Sequence, residues 1–192
     1  MLRGVVTLLG LMIPLGFAAG CSSGGSTPAE DVPASDPVAC ISTATDSNDL
    51  GLRGARLRLV ENGIEVTWTL KQGKAIGDVG YSVELTDEYG ALYRQLSLFF
   101  VDEAFAEVLG TDWLASVKIF NQAGDEFIEE PAPTVDGRTV TMVFPRAAVE
   151  GSTNVTHWRA SADAAVDGVD RTDWCPDPSQ GDDFPESVAL PQ

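Results

Sequence analysis

The sequence predicts an all-β fold, an antiparallel β-sandwich of about eight strands with one or two short helical turns. Three observations predict it. Apolar residues recur at every second position in run after run, the runs are punctuated by Gly, Asn, Asp and Pro, and no stretch long enough to build a helical layer carries a helical period.

The clearest element is residues 55–71, ARLRLVENGIEVTWTLK, where two alternating runs flank Asn62-Gly63. Asn-Gly readily supplies the two positive φ angles of a type I′ turn, so a two-residue hairpin loop is expected there. Such a loop fixes the register. It sets Leu59 opposite Val66, Leu57 opposite Trp68 and Ala55 opposite Leu70 on an apolar face, with Arg58 opposite Thr67 and Arg56 opposite Thr69 on a wet one. Further strands are predicted at 81–86 (YSVELT), 91–101 after a turn at 87–90, 114–120, 126–129 after a turn at 122–124, 138–144 and 154–162. Residues 103–109 (EAFAEVL) and 146–149 read as helical turns. The strand beginning at Arg138 is expected to stop at Pro145, whose nitrogen has no proton for a ladder.

The flanks set the domain organisation. Arg3 gives a positive start, residues 4–17 run apolar, and Ala18, Ala19 and Gly20 lead to Cys21, the order of a secretory signal. Gly10, Pro14 and Gly16 break the run, which falls short of the about twenty apolar residues that a membrane span needs. Ala18-Ala19-Gly20-Cys21 resembles the bacterial lipobox, with Ala18 standing where Leu is usual. The resemblance implies that residues 1–20 are removed and that Cys21 carries palmitate-type acyl chains, anchoring a lipoprotein at the extracytoplasmic face of the cell membrane. Residues 21–38, rich in Gly, Ser, Pro and acid, are expected to be a flexible tether. The sandwich domain is expected over 39–176, followed by a disordered acidic tail over 177–192.

Lipidation of Cys21 leaves Cys40 and Cys175 as an even pair in an oxidising compartment, and no companion His or Cys stands at zinc-ligand spacing. A disulfide tying the start of the fold to its end is expected. The formal charge of −17 and the lack of a basic patch interleaved with aromatics argue against nucleic acid as a partner. Lysine is scarce (Lys71, Lys74 and Lys118), and with abundant Ala, Gly, Val and Asp this resembles the usage of high-GC Gram-positive bacteria.

The C-terminal half carries a second resemblance. Val135-Asp136-Gly137-Arg138-Thr139-Val140-Thr141-Met142-Val143-Phe144-Pro145, then His157-Trp158-Arg159-Ala160-Ser161, then Asp173-Trp174-Cys175-Pro176 is similar to the ending of sandwich domains related to family-9 carbohydrate-binding modules and DOMON domains. The strand from Tyr81 to Asp87 fits the same plan. The resemblance implies the sandwich fold, and a ligand that is a sugar, a haem or neither.

Chemistry-bearing residues are sparse. His157 is the single histidine and no nucleophile elbow occurs. A haem would have only His157 with Met142, and Met142 alternates with Val140 and Phe144 as a core residue does. Residues 46–51 open like an EF-hand loop but place Leu50 at the fifth position and Leu57 at the twelfth. Asp163, Asp167, Asp170 and Asp173 are expected on a loop leading to Cys175, either simply solvated or gathered by calcium; no other cofactor is expected. Trp68 and Trp158 fall in core phase, whereas Trp113, Trp174 and Tyr93 stand at loops or strand ends, where an exposed ring could stack on a sugar.

The functional expectation is a non-catalytic, membrane-tethered binding module for envelope glycans, or an accessory subunit that docks an envelope protein. A hydrolytic enzyme, with Glu84 and Asp87 as its acid/base pair, is the third class.

Overall fold

A computed structural model of the chain describes residues 37–42, 51–71, 79–120, 125–148, 154–166, 169–177 and 187–191. The predicted signal, Cys21, most of the tether and the EF-hand-like opening at 46–50 lie outside them. The described strands are β1 (Val38–Ile41), β2 (Leu52–Val60), β3 (Gly63–Leu70), β4 (Val79–Thr86), β5 (Leu92–Phe100), β6 (Trp113–Ile119), β7 (Asp125–Ile128), β8 (Thr134–Asp136), β9 (Thr139–Pro145), β10 (His157–Val166), β11 (Val169–Cys175) and β12 (Val188–Ala189). One helix, α1 (Glu103–Leu109), and one 3-10 turn (Arg146–Ala148) join them. The strands form an antiparallel β-sandwich. A five-stranded sheet has the order β1-β2-β3-β9-β8, and a seven-stranded sheet has the order β11-β10-β4-β5-β6-β7 with β12 also paired to β10.

The core is built by the alternation. Leu57, Ile64, Val66, Trp68, Val140, Met142 and Phe144 of the five-stranded sheet meet Tyr81, Val83, Leu85, Leu96, Leu98, Trp158 and Ala160 of the other, all essentially without solvent contact. Burial of one such aliphatic or phenyl side chain contributes about 1.5–3 kcal/mol. The layers are also joined by polar links. The Trp68 indole donates to the Ser82 carbonyl at 3.3 Å. Cys40 and Cys175 form the expected disulfide, between the edge strands β1 and β11, with Cα atoms 5.5 Å apart.

Four expectations are corrected. The β2–β3 hairpin turns on Glu61-Asn62, with Val60 opposite Gly63, Leu59 opposite Ile64 and Leu57 opposite Val66. The slip from the expected pairing is even, so every side chain keeps its face. Gly63 is spent on a close approach instead of the turn: a Cβ there would lie 1.8 Å from the Phe144 carbonyl oxygen of β9. The observed register also sets Arg58 opposite Glu65, with which it forms an ion pair of 2.7 Å. The anticipated loop over 163–173 is instead the β10–β11 hairpin, in which Asp163 faces Thr172 and Ala162 faces Asp173. The expected disordered tail contains β12, whose Val188 pairs with Trp158 and packs against the core. The strand number is accordingly higher than eight, because β1, β8, β11 and β12 join the sheets without a strong alternating signal of their own.

Candidate functional site

The outer face of the seven-stranded sheet is polar where the inner face is apolar. Cross-strand register aligns Ser116, Ser97, Ser82, Ser161 and Trp174 in one row, and Lys118, Gln95, Glu84 and Arg159 in the next. All four serines are buried although they lie on the outer face. Ser161 donates to Asp163 Oδ2 at 3.0 Å, and because that uses its single proton, Ser82 donates to Ser161 at 2.7 Å. Thr172 donates to the other Asp163 oxygen at 2.7 Å. The Arg159 guanidinium holds the Glu84 carboxylate at 2.5 Å and lies 5.3 Å from the centre of the Trp174 ring. The two charged side chains are only 10% and 12% exposed, so this pair acts in a poorly hydrated setting.

The sequence-nominated residues do not converge. Trp174 packs against Arg159 on β11. Tyr93, on the outer face of β5, donates its hydroxyl to Asp87 Oδ2 at 3.3 Å. Trp113 stands opposite Phe100 at the start of β6 and packs against the core from the end of the sandwich. Asp163 points outward, while Asp173 lies opposite the core residue Ala162 and accepts the Leu52 backbone N–H at 3.1 Å, so these two carboxylates serve opposite faces of one sheet. Asp167 lies outside the described residues. Among the described residues no group of three or more His, Cys, Asp or Glu side chains stands close enough to hold a metal ion. Glu84 and Asp87 have separate tasks: Glu84 binds Arg159, and Asp87 accepts the backbone N–H groups of Tyr89 and Ala91 and so shapes the β4–β5 turn. His157 meets the Thr156 hydroxyl through Nδ1 at 2.9 Å.

A different region presents unsatisfied surface. A groove of about 310 Å³ at the β6–β7 edge is lined by Leu109, Thr111, Trp113, Leu114, Phe127 and Glu129, among others. Phe127 is 67% exposed, and Phe99, opposite Leu114, is 47% exposed. The Phe99 ring lies over Gly80, where a Cβ would come within 2.4 Å of it, so the missing side chain lets the ring lie against the sheet. Helix α1 extends the surface. Asp102 caps its start by accepting the Phe105 N–H at 2.9 Å, and Gly110 ends it in the left-handed conformation. No residue of α1 is buried, and Phe105 shares with Leu109 the face that borders the groove. A second, shallower concavity of about 590 Å³, lined by Val60, Glu61, Asn62, Glu65, Glu130 and Pro131, lies at the hairpin end.

Of Phe99, Phe105 and Phe127, the sequence carries a signal for one: Leu96, Leu98 and Phe100 face the core, so Phe99 must face out.

No family model matches this chain, and no curated protein or solved structure matches it.

Proposed function

We propose that this chain is a lipid-tethered extracytoplasmic interaction module that docks an envelope protein through the apolar end of its seven-stranded sheet. The observation that carries the reading is an apolar groove lined by Leu109, Trp113, Leu114 and Phe127, with Leu109 and Phe127 themselves exposed and the exposed Phe99 opposite Leu114, on a chain whose formal charge is −17. Single exposed apolar residues are ordinary, but a contiguous rimmed patch marks an interaction surface. The tether supports the location. The lipobox-like Ala18-Ala19-Gly20-Cys21 precedes a patternless linker, and the Cys40–Cys175 bridge suits an oxidising compartment and leaves Cys21 for the acyl chains.

A second reading, an envelope-glycan site, has one observation in its favour: Trp113, Phe127 and Glu129 all line the same groove, an aromatic and acidic set that suits a sugar.

The test is a photo-crosslinking amino acid placed at residue 127 in cells. The expected result is one dominant envelope protein, lost when the crosslinker is moved to the far side of the sandwich. Saturable, Phe127-dependent binding of purified chain to neutral envelope glycans, with no protein crosslink, would transfer the assignment to the second reading. Cys21→Ser is expected to release the chain from membranes, and unchanged attachment and processing would overturn the anchor.

A further inference from the structure

We infer that the partner contributes an extended cationic segment that adds to β7 as one more strand, seating apolar side chains in the groove and basic ones against its acidic rim. The inference rests on the docking reading above and specifies its chemistry.

Three features support it. Among the described residues β7 is the last strand of its sheet, paired to β6 on one side only, so the backbone of Asp125–Ile128 offers hydrogen-bonding groups along its other side. The groove lies against that same strand, which suits strand addition: main-chain hydrogen bonds give affinity and alternate side chains, falling into a pocket, give specificity. The charge then selects the strand. Between residues 99 and 130 eight carboxylates (Asp102, Glu103, Glu107, Asp112, Asp125, Glu126, Glu129 and Glu130) are all exposed, against the single Lys118. Lys118 is itself engaged, facing Asp125 across the ladder and lying 5.4 Å from the centre of the Phe120 ring. A second copy of this chain would bring the same carboxylates to the edge and be repelled, as would an acidic glycan or an anionic lipid surface. An alternating basic and apolar strand satisfies the edge, the groove and the rim together.

The test uses the purified full chain and a fluorescent peptide alternating lysine and valine, followed by anisotropy and amide hydrogen exchange. Saturable binding is expected, with new exchange protection confined to residues 125–128. Phe127→Ala should weaken it about tenfold, as for a central aromatic anchor. Glu126→Gln with Glu129→Gln should weaken it about threefold and flatten its salt dependence. Peptides alternating glutamate and valine, or with N-methylated valines that lack the backbone donor, should bind at least about tenfold more weakly. Equal binding by the N-methylated peptide, or by one alternating lysine and glycine, would reduce the effect to general electrostatics and overturn the inference. If no peptide binds while the crosslinker at residue 127 still captures a protein, strand addition falls and the docking reading stands. If neither responds, both fall.

Discussion

The Asp173 carboxylate on β11 accepts the backbone N–H of Leu52 on β2 across a gap of 121 residues, at 3.1 Å. Beside it the Ser42 hydroxyl donates to Asp177 at 2.8 Å, and the Cys40–Cys175 bridge joins the same two edges. One residue that the sequence suggested for calcium thus fastens sheet to sheet. Asp173→Ala should leave the Leu52 N–H without its acceptor and cost about 1–3 kcal/mol, measurable by urea unfolding. Unchanged stability would show that the contact carries nothing.

Reduction of the disulfide should be more costly. The bridge closes a loop with a sequence separation of 135, and the chain-entropy account gives about 5 kcal/mol for loops of this length. A Cys40→Ala, Cys175→Ala chain is expected to melt well below the parent. Because Asp173 sits in the same seam, its loss in that background should add less than it does alone. Coincident melting curves for reduced and oxidised protein would refute the first statement.

Glu84 and Arg159 test the outer face. Truncating either one strands its partner in a nearly water-free position and should cost about 3 kcal/mol, whereas Glu84→Leu with Arg159→Met together should cost much less. Removing Arg159 also uncovers the Trp174 ring, so an emission change is expected in the arginine variant and a smaller one in Glu84→Gln. A strictly additive double-mutant cycle would argue that the two do not act as a pair.

Burial pushes the Tyr81 phenol from its ordinary 10 up to about 12. The folded state therefore favours the neutral ring. Its contribution is complete below pH 10, the ordinary value, and is lost as pH rises from there through about 12, amounting to about 2–3 kcal/mol over that window. Tyr81→Phe should flatten this part of the stability profile. An unaltered alkaline slope in that variant would assign the loss to other groups.

At Gly63 the backbone has φ of 154° and a methyl group would overlap the Phe144 carbonyl. Gly63→Ala is expected to pry β3 from β9 and cost more than about 3 kcal/mol, read by thermal melting. A near-native melting temperature would mean that the two strands part at little cost.

Gly63 also shows where the sequence was legible. Its neighbours reveal a hairpin and sort every side chain to the correct face, because alternation is local. The register slipped because the glycine answers to Phe144, a residue 81 positions away on β9 that no local pattern announces. The hairpin of β10 and β11 was hidden for a similar reason: Asp163, Asp170 and Asp173 break the alternating pattern in residues 163–175, and the strand is defined by its neighbours' ladders. At the candidate surface, Phe99 was readable from its phase, whereas the exposure of Phe105 and Leu109 depends on whether anything packs over α1, which is a property of the assembled sandwich.

The disulfide has a mechanical consequence as well. Any pull reaching the domain from the side of Val38 travels two residues before meeting a covalent bond at Cys40. Force then leaves the five-stranded sheet and enters β11, crossing the ladders of the seven-stranded sheet toward β7 at its opposite end. Only the Val38 and Ala39 pairings of β1 with β2 come before the bridge, and the ladder beyond Cys40 lies off that line. A domain held at one end and engaged at the other would carry tension through those ladders in series, so that the weakest of them sets the load it can bear.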